Sequence, residues 1–150
     1  MQRLVKLREQ RVARRNTLGQ VRLELDAGAG RQRVMGVPTQ LERVAENLID
    51  NAVSFSPTEG VVSVTMRRAG GKIVTEICDE GPGIEPARRE DVFRRFHSDR
   101  PEGESFGNHS GLGLAIGRAI AEAHDGTLSA DERPDRAAGA CLRLSLPAAP

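Results

Sequence analysis

Two asparagines in the segment "NLIDNAVSF" have a spacing that could support chemistry. Asn47 and Asn51 lie four residues apart in a helical pattern, so on a helix they face the same side, and Ser54 continues the row. Asparagine is unfavourable inside a helix because its side chain competes for backbone hydrogen bonds. Carboxamide oxygens at this spacing can bind a hard cation such as Mg²⁺, with Glu46 or Asp50 beside them as a base. A solvated polar helix face would explain the same residues.

A second group is the segment "CDEGPGI", in which a strand-like run delivers Asp79 into a Gly-Pro-Gly bend. Gly81 and Gly83 have no Cβ, so the backbone can turn sharply there and approach a flat ligand closely. A carboxylate at a strand end can accept a hydrogen bond from a nucleobase amine. An ordinary tight turn that uses an aspartate would also fit this segment.

A third group is the segment "HSGLGLAIG", where Gly111 and Gly113 open a helix. The free amides of a helix N-terminus favour anions such as phosphate. The glycines run G-x-G-x-x-x-G and follow a polar segment instead of a buried strand, so they do not match a dinucleotide fingerprint. The chain also has no G-x-x-x-x-G-K-[ST] sequence, which excludes a P-loop.

Hydrophobic periodicity predicts the helices that must position these residues. Residues 39–55 form an amphipathic helix with the apolar stripe Leu41, Val44, Ala45, Leu48, Ile49, Ala52 and Val53. Residues 111–124 form a second helix with one face made of Leu112, Ile116, Ala119, Ile120 and Ala123. The segment "ARREDVFRRF" is predicted to be a short helix, and the polar residues 99–110 are predicted to be a mobile loop.

Alternating apolar and polar residues predict extended segments. These are "VRLELDA", "RQRVMGV", "VVSVTMRR", "KIVTEICD", "GTLSADE" and "GACLRLSLP", and the third and fourth flank "AGG" as a hairpin. The strands come in two adjacent runs and do not alternate strictly with helices. We therefore expect an α+β fold, a two-layer α/β sandwich with a mixed sheet covered on one face by helices.

The composition limits the classes of function. A net charge of +1 over 150 residues gives no electrostatic reason to expect nucleic acid or a membrane surface as a partner. No apolar run approaches the ~20 residues of a membrane span, and we expect a cytoplasmic location. Cys78 and Cys141 have no second Cys or His at ligand spacing, which predicts reduced thiols in the core.

The order of the three groups is more specific than any one of them. With "FRRF" and a polar segment between the second and third, the chain resembles the ATP-binding catalytic domain of sensor histidine kinases, of the GHKL-type fold. The resemblance covers about residues 21–147. The family's sequence boxes are matched as follows: the Asn box by Asn47 and Asn51, the first glycine box by Asp79, Gly81 and Gly83, the Phe box by Phe93 and Phe96, the second glycine box by Gly111 and Gly113, and the turn after the last helix by "HDGTL". It implies a linker or helix remnant over residues 1–20 and the ATP-binding domain over residues 21–150.

The resemblance implies a role for each matched residue. Asp79 would accept from the adenine amine, Asn51 helped by Asn47 would coordinate Mg²⁺, and residues 97–110 would form a mobile lid over the ATP phosphates. The implied nucleotide-binding residues are Phe55, Asp79, Gly81, Gly83, Ile84, Gly111, Leu112, Gly113 and Leu114, with Asn47 and Glu46 as the implied catalytic residues.

Two departures from the family pattern bear on this expectation. Ser54 stands where the family often has a phosphate-binding Lys or Arg, so Arg95 and Arg100 are our candidate replacements. Members that hydrolyse ATP tend to carry a catalytic Glu four residues before the metal-binding Asn, and here that position is Asn47. This difference favours phosphoryl transfer to a protein over hydrolysis.

The histidines indicate which partner is needed. His97, His109 and His124 all follow the Asn box, whereas sensor kinases carry the phosphoacceptor histidine upstream. We therefore expect a catalytic domain, as the cytoplasmic part of an inner-membrane sensor or a stand-alone chain, which phosphorylates a histidine domain for relay to a response regulator. The alternatives are an anti-sigma-type serine kinase of the same fold and a nucleotide-binding module without turnover.

Overall fold

A single five-stranded sheet supports the molecule, with strand order β1-β2-β3-β5-β4. The strands are β1 (Arg22–Asp26), β2 (Val61–Ala69), β3 (Lys72–Cys78), β4 (Thr127–Glu132) and β5 (Ala140–Pro147). The β1–β2 pair is parallel and the other three pairs are antiparallel, so the sheet is mixed as predicted. The computed structural model describes residues 22–26 (backbone only), 32–94, 112–135 and 138–150. The predicted lid, the N-terminal segment 1–20, Gly111, Arg95 and Arg100 lie outside these ranges.

The first helix, α1 (Pro38–Phe55), confirms the predicted helix to within one residue. Pro38 stands in its first turn, where the fixed φ of proline suits a helix and the missing N–H has no intrahelical partner to lose. Its apolar stripe packs on the sheet, with Leu41, Val44, Leu48, Ile49 and Ala52 buried. The polar residues Asn47, Asn51 and Ser54, here called the Asn row, therefore lie toward the edge of this layer.

The second helix, α2 (Gly113–Ala123), packs against α1 with a face that only partly matches the predicted one, since Ile120 of that face is half-buried against the core. Its buried residues are Gly117 and Ala121, whereas Ala119 and Ala123 of the predicted apolar face are exposed. A Cβ at Gly117 would lie 3.4 Å from Leu128 and 3.8 Å from Val44. The small residues allow α2 to approach the core closely, which an apolar periodicity alone does not reveal.

Two local predictions were wrong. The segment "RQRVMGV" forms no strand among its described residues, and only Val34 makes an isolated bridge, to Ala148. The described part of "ARREDVFRRF" forms two 3-10 turns, Pro86–Arg88 and Asp91–Phe93, in place of a short α-helix. Val92 and Phe93 are buried in the core by the second turn, and this tertiary packing outweighs helical propensity over so short a stretch.

The hydrophobic core lies between the sheet and the two helices. Alternate residues of the strands point to this side, which matches the two-layer prediction; they include Val62, Val64, Ile77, Leu128, Ala130, Leu142 and Leu144. Among the described residues, no helix is both long and apolar enough to cross a bilayer.

On the opposite face of the sheet, the prediction that both cysteines are reduced thiols was wrong. Cys78 and Cys141 form a disulfide, with Cα atoms 4.1 Å apart and a separation of 63 positions in the chain. They are direct partners in the β3–β5 register, so the sheet topology brings together two thiols that the sequence spacing kept apart. Both are buried, as predicted, at 7% and 1% exposed.

Glu76 lies next to this disulfide on the same face and is 7% exposed. Its carboxylate pairs with Arg67 at 3.0 Å and with Arg143 at 3.4 Å. Potential metal-ligand atoms of Glu76, Cys78 and Cys141 lie within 4.8 Å of one another. The sulfurs are bonded to each other and the carboxylate is paired with two cations, so this group is a structural cluster.

Candidate functional site

Asn47 connects the Asn row of α1 to the start of α2. Its Nδ2 donates to the backbone carbonyl of Gly113 at 3.1 Å, across 66 residues of sequence. A Cβ at Gly113 would lie 3.6 Å from the Asn47 side chain, an ordinary van der Waals contact, so the two residues are neighbours. Because its N–H group is used in this way, the carboxamide of Asn47 has a defined orientation and its oxygen remains an acceptor.

Asn51 lies one turn further along α1 and is half-buried, as are Glu46 and Asp50. Its backbone carbonyl accepts a hydrogen bond from the Ser54 hydroxyl at 2.8 Å. Ser54 therefore bonds within its own helix turn and does not substitute for the cation that the sequence lacks at this position. Of the Asn row, Asn47 contacts the first residue of α2, Gly113.

Asp79 follows the last residue of β3 and is only 6% exposed. Its Oδ1 accepts hydrogen bonds from the backbone N–H groups of Gly81 at 2.8 Å and Ala140 at 3.3 Å. Its own backbone N–H donates to the Ala140 carbonyl at 2.9 Å. Within the described part of the chain both bonds to the carboxylate reach Oδ1, so the side chain is fixed in direction and Oδ2 can accept from another partner.

Burial raises the pKa of Asp79 above its ordinary value. The hydrogen bonds from Gly81 and Ala140 and the positive charge of Arg133 act in the opposite direction and lower it. A buried carboxylate that is oriented by backbone amides is more typical of a binding site than of a solvated turn. The competing interpretation of Asp79 as an ordinary turn residue explains its bond to Gly81 but not its burial.

The Gly-Pro-Gly bend packs against the C-terminal end of α1. A Cβ at Gly81 would lie 2.5 Å from the Phe55 carbonyl oxygen, so only glycine allows the bend to approach the helix here. Gly83 has a φ of +81°, which glycine adopts without strain. Phe55 itself is half-buried and is the last residue of α1, so this contact brings the Asn row and Asp79 to one region.

The bend leads into Ile84, which is half-buried and packs on the core. Its carbonyl accepts from Arg89 Nε at 3.3 Å, so this backbone is tied to the first 3-10 turn. The nucleotide-binding role of Ile84 stays a prediction.

Gly139 and Arg133 are site residues that the sequence reasoning missed. Gly139 has a φ of +130°, and a Cβ there would collide with the backbone carbonyl oxygen of Asp79. The same carbonyl accepts a hydrogen bond from Arg133 Nη1 at 2.9 Å. The glycine before the last predicted strand was the available signal for Gly139, whereas nothing near Arg133 in the sequence pointed to Asp79.

The N-terminus of α2 presents the second glycine motif. Leu112 precedes the helix, Gly113 is its first residue, and Leu114 packs half-buried against the core. Among the described residues no side chain caps this helix start, and the first amides of a helix favour an anion.

Phe93 of the Phe box lies beside the same helix. The Arg118 guanidinium lies 4.6 Å from the centre of the Phe93 ring and bonds to Glu90 at 2.7 and 3.2 Å. Phe93 is 6% exposed, while Phe96 lies outside the described residues. Arg118 thus ties the second 3-10 turn to α2.

His124 is the one histidine of the three within the described ranges. Its Nε2 accepts from the Val37 N–H at 3.1 Å, and Nδ1 lies 2.8 Å from the Ile120 carbonyl, which it can reach only as a donor. Both ring nitrogens are therefore used to connect the start of α1 with the end of α2. This arrangement gives His124 a structural role and does not suggest a phosphate acceptor.

Comparison with known proteins agrees with this geometry. Residues 36–150 match the family described as histidine kinase-, DNA gyrase B-, and HSP90-like ATPase. The chain is 45% identical over 121 residues to sensor protein ChvG of Rhizobium meliloti strain 1021, over 78% of this chain and 21% of that protein. It is 40% identical over 117 residues to the sensor-like histidine kinase SenX3 of Mycobacterium tuberculosis strain H37Rv, over 77% of this chain and 28% of SenX3.

A solved structure supports the same assignment. The mycobacterial sensor histidine kinase MprB is 32% identical with a TM-score of 0.79, over 95% of this chain and 90% of that chain. The chain spans only 21% of the length of ChvG and 28% of that of SenX3. It belongs to the histidine kinase-, gyrase B- and HSP90-like ATPases, and within that family it is an ATP-binding catalytic domain of the sensor histidine kinase type.

Proposed function

We propose that this domain binds Mg²⁺-ATP between the Asn row, the Asp79 bend and the start of α2. It then transfers the γ-phosphoryl group to a histidine on a phosphoacceptor domain outside this chain, for relay to a response regulator. The observation that carries the proposal is the buried Asp79 carboxylate, held through Oδ1 by two backbone N–H groups.

Asp79 supplies the selectivity for adenine in this proposal. With Oδ1 occupied by Gly81 and Ala140, Oδ2 can accept from the exocyclic amine of adenine. Guanine has a carbonyl at the corresponding position, and two acceptors facing each other would leave both unpaired. The glycine bend beside Asp79 allows a flat base to lie close to the backbone.

Asn51 and Asn47 fit a magnesium ion by the chemistry of their donor atoms. Mg²⁺ prefers oxygen ligands, keeps several waters and binds protein together with substrate phosphates. Asn47 donates its N–H to Gly113, which leaves its oxygen as the acceptor on the side of the α2 N-terminus. When bound, the ion would offset the negative charge of the phosphates; the amides of Leu112 and Gly113, with Gly111, would hold phosphate oxygens.

Transfer to a protein is favoured over hydrolysis because an asparagine, Asn47, stands where hydrolysing members of the family carry a glutamate. A water-activating carboxylate at this position would lack the N–H that Asn47 donates to Gly113. Glu46, next to it on α1, is our candidate base for the acceptor. Arg95 and Arg100 remain our candidates for the phosphate cation that Ser54 does not supply.

Partner and location follow from this chemistry. A γ-phosphoryl group needs an acceptor histidine from another domain or chain, and His124 is engaged in structural bonds. We place the domain on the cytoplasmic side, where ATP is available, as part of a sensor of the kind its relatives are named for.

Calorimetric titration of this chain with a non-hydrolysable ATP analogue, with and without Mg²⁺, tests the binding step, with the GTP analogue as control. Binding that depends on Mg²⁺ and selects adenine is expected, and equal affinity for both analogues would contradict the role of Asp79.

The transfer step is tested with labelled ATP and phosphoacceptor domains of sensor kinases, with acid-labile phosphohistidine as the readout. An acid-stable phosphoserine on a partner would instead identify the serine-kinase alternative, and binding without any transfer would identify the module without turnover.

A further inference from the structure

We propose that Arg133 is a positioning residue for adenine recognition, which holds the backbone of Asp79 and thereby sets the direction of its carboxylate. The inference rests on the proposed function, because it concerns how Asp79 performs its role there. Arg133 lies at the end of β4, 54 residues from Asp79 in the sequence.

The guanidinium group of Arg133 joins two partners. Nη1 donates to the Asp79 carbonyl at 2.9 Å, while Nε and Nη2 bond to the carboxylate of Asp135 at 3.0 and 2.8 Å. The side chain of Arg133 is only 16% exposed. A planar fork with two bonds to Asp135 has a fixed orientation, so the third bond sets the position of the Asp79 carbonyl.

The contacts around Asp79 leave little room for adjustment. Gly139 packs directly against the same carbonyl, where a Cβ would collide with it, and the Arg133 Cδ lies 3.1 Å from the Cβ position of Gly139. The Ala140 N–H donates to the Asp79 carboxylate from the next residue. Arg133 therefore covers the segment at Gly139 and Ala140, which orients the carboxylate. Loss of the Arg133 side chain would allow both this segment and the Asp79 carboxylate to move.

The charge of Arg133 also acts on the carboxylate. Burial raises the pKa of Asp79, and the positive charge of Arg133 lowers it. The other charged groups near this pair in the described part of the chain are Asp135, which neutralises the outer side of Arg133, and Glu80 beside Asp79. Only the ionised carboxylate has two acceptor oxygens for adenine, so a higher pKa reduces the binding-competent fraction at a given pH.

The test compares binding of the Mg²⁺-ATP analogue to wild type, Arg133→Ala and Arg133→Lys between pH 5 and pH 8. Arg133→Ala is expected to bind about five- to tenfold more weakly at neutral pH, the size of one lost hydrogen bond. The pH at which binding falls to half should also rise, because the variant lacks the positive charge that lowers the pKa of Asp79. Arg133→Lys keeps the charge and loses the fork, so its affinity should fall while the half-binding pH stays near that of wild type.

Arg67→Ala is the matched control, because Arg67 also pairs with a carboxylate on this sheet, at Glu76, but makes no bond to Asp79. A purely structural role of Arg133 would weaken binding equally at every pH, and that result would overturn the inference. So would wild-type affinity and pH dependence in Arg133→Ala. If Arg133→Ala fails to fold, an Arg133→Lys variant that binds like wild type at all pH values would overturn it.

Failure of the proposed nucleotide site can be distinguished from failure of the inference about Arg133. In that case wild type would not select adenine, and Asp79→Asn would bind as wild type does. If Asp79→Asn abolishes binding while Arg133→Ala leaves binding unchanged, only the inference about Arg133 fails.

Discussion

The Nδ2 of Asn47 lies 3.1 Å from the carbonyl oxygen of Gly113, so the two sequence motifs that would hold the metal and the phosphates are bonded to each other. This contact joins the middle of α1 to the first residue of α2. It explains why an asparagine can stand on the polar edge of a helix without being a solvated residue. The same amide that links the two helices leaves its oxygen directed for a further contact.

Substitution of Asn47 tests this link. Asn47→Ala should lower the free energy of unfolding by about 1 kcal/mol, the usual value of one partly buried hydrogen bond. Asn47→Asp should weaken Mg²⁺-ATP binding more than Asn47→Ala does, because it removes the donor and places a negative charge near the Gly113 carbonyl and the phosphates. Denaturant unfolding and nucleotide titration measure the two effects.

Gln40→Ala is the control, since Gln40 is an exposed carboxamide near the start of the same helix. Its stability and affinity should match wild type. Equal affinity in Asn47→Ala and Asn47→Asp would contradict a position of Asn47 beside the phosphates.

Asn51 is expected to act through the metal. Asn51→Ala should weaken Mg²⁺-ATP binding by at least about tenfold, because even outer partners of metal ligands contribute that much. Binding of metal-free ADP should change far less. Calorimetric titration with and without Mg²⁺ provides the ratio, and equal losses in both titrations would rule out the metal role of Asn51.

Asp79→Asn separates folding from binding. Asparagine keeps an oxygen that can accept from Gly81 and Ala140, and it removes a buried charge. The folded-state pKa of Asp79 is raised, so at neutral pH the ionised group destabilises the fold, and this effect disappears as the pH falls through that pKa. The variant should therefore be as stable as wild type or more stable at pH 7, while adenine binding is lost.

Thermal unfolding of both proteins from pH 4 to pH 8 checks the sign of this effect. The stability advantage of Asp79→Asn should shrink as the pH is lowered and Asp79 becomes protonated in wild type. A variant that is clearly less stable than wild type at pH 7 would show that the charge of Asp79 is net favourable to folding.

Reduction of the Cys78–Cys141 disulfide should lower the free energy of unfolding by about 2–4 kcal/mol, as expected for a crosslink that closes a long loop. The bond joins adjacent strands directly beside Asp79 and Ala140, so it should also support nucleotide binding. Denaturant unfolding with and without a dithiol reductant measures the change. The variant in which both cysteines are replaced by valine should not respond to the reductant, and a wild type that is equally insensitive would indicate that the thiols are not bonded.

Arg118 should matter for transfer more than for nucleotide binding. Its contacts with Glu90 and Phe93 hold the second 3-10 turn on α2, five residues beyond the first residue of that helix. Arg118→Ala is expected to keep near wild-type affinity for Mg²⁺-ATP and to slow phosphorylation of a supplied histidine domain. Arg118→Lys keeps the charge without the planar stack and should be intermediate. Loss of nucleotide binding in Arg118→Ala would place its role in the nucleotide site instead.

Much of the site was accessible from the sequence because its signals are local. The helical spacing of Asn47 and Asn51 and the strand that ends in Asp79 and a Gly-Pro-Gly bend depend on residues close together in the chain. Periodicity of 3.6 and 2 residues also determined α1 and the β2–β3 hairpin, because apolar faces must be buried. The order of the motifs then identified the family that the comparisons show.

Only the tertiary structure decided which distant residues meet. The pairing of Cys78 with Cys141, the bond from Asn47 to Gly113 and the bond from Arg133 to Asp79 span 63, 66 and 54 residues. Each depends on the strand order that places β5 between β3 and β4 and on how closely α2 approaches α1. No local pattern encodes these contacts, because they follow from the burial of several apolar faces at once, and that is a property of the whole chain.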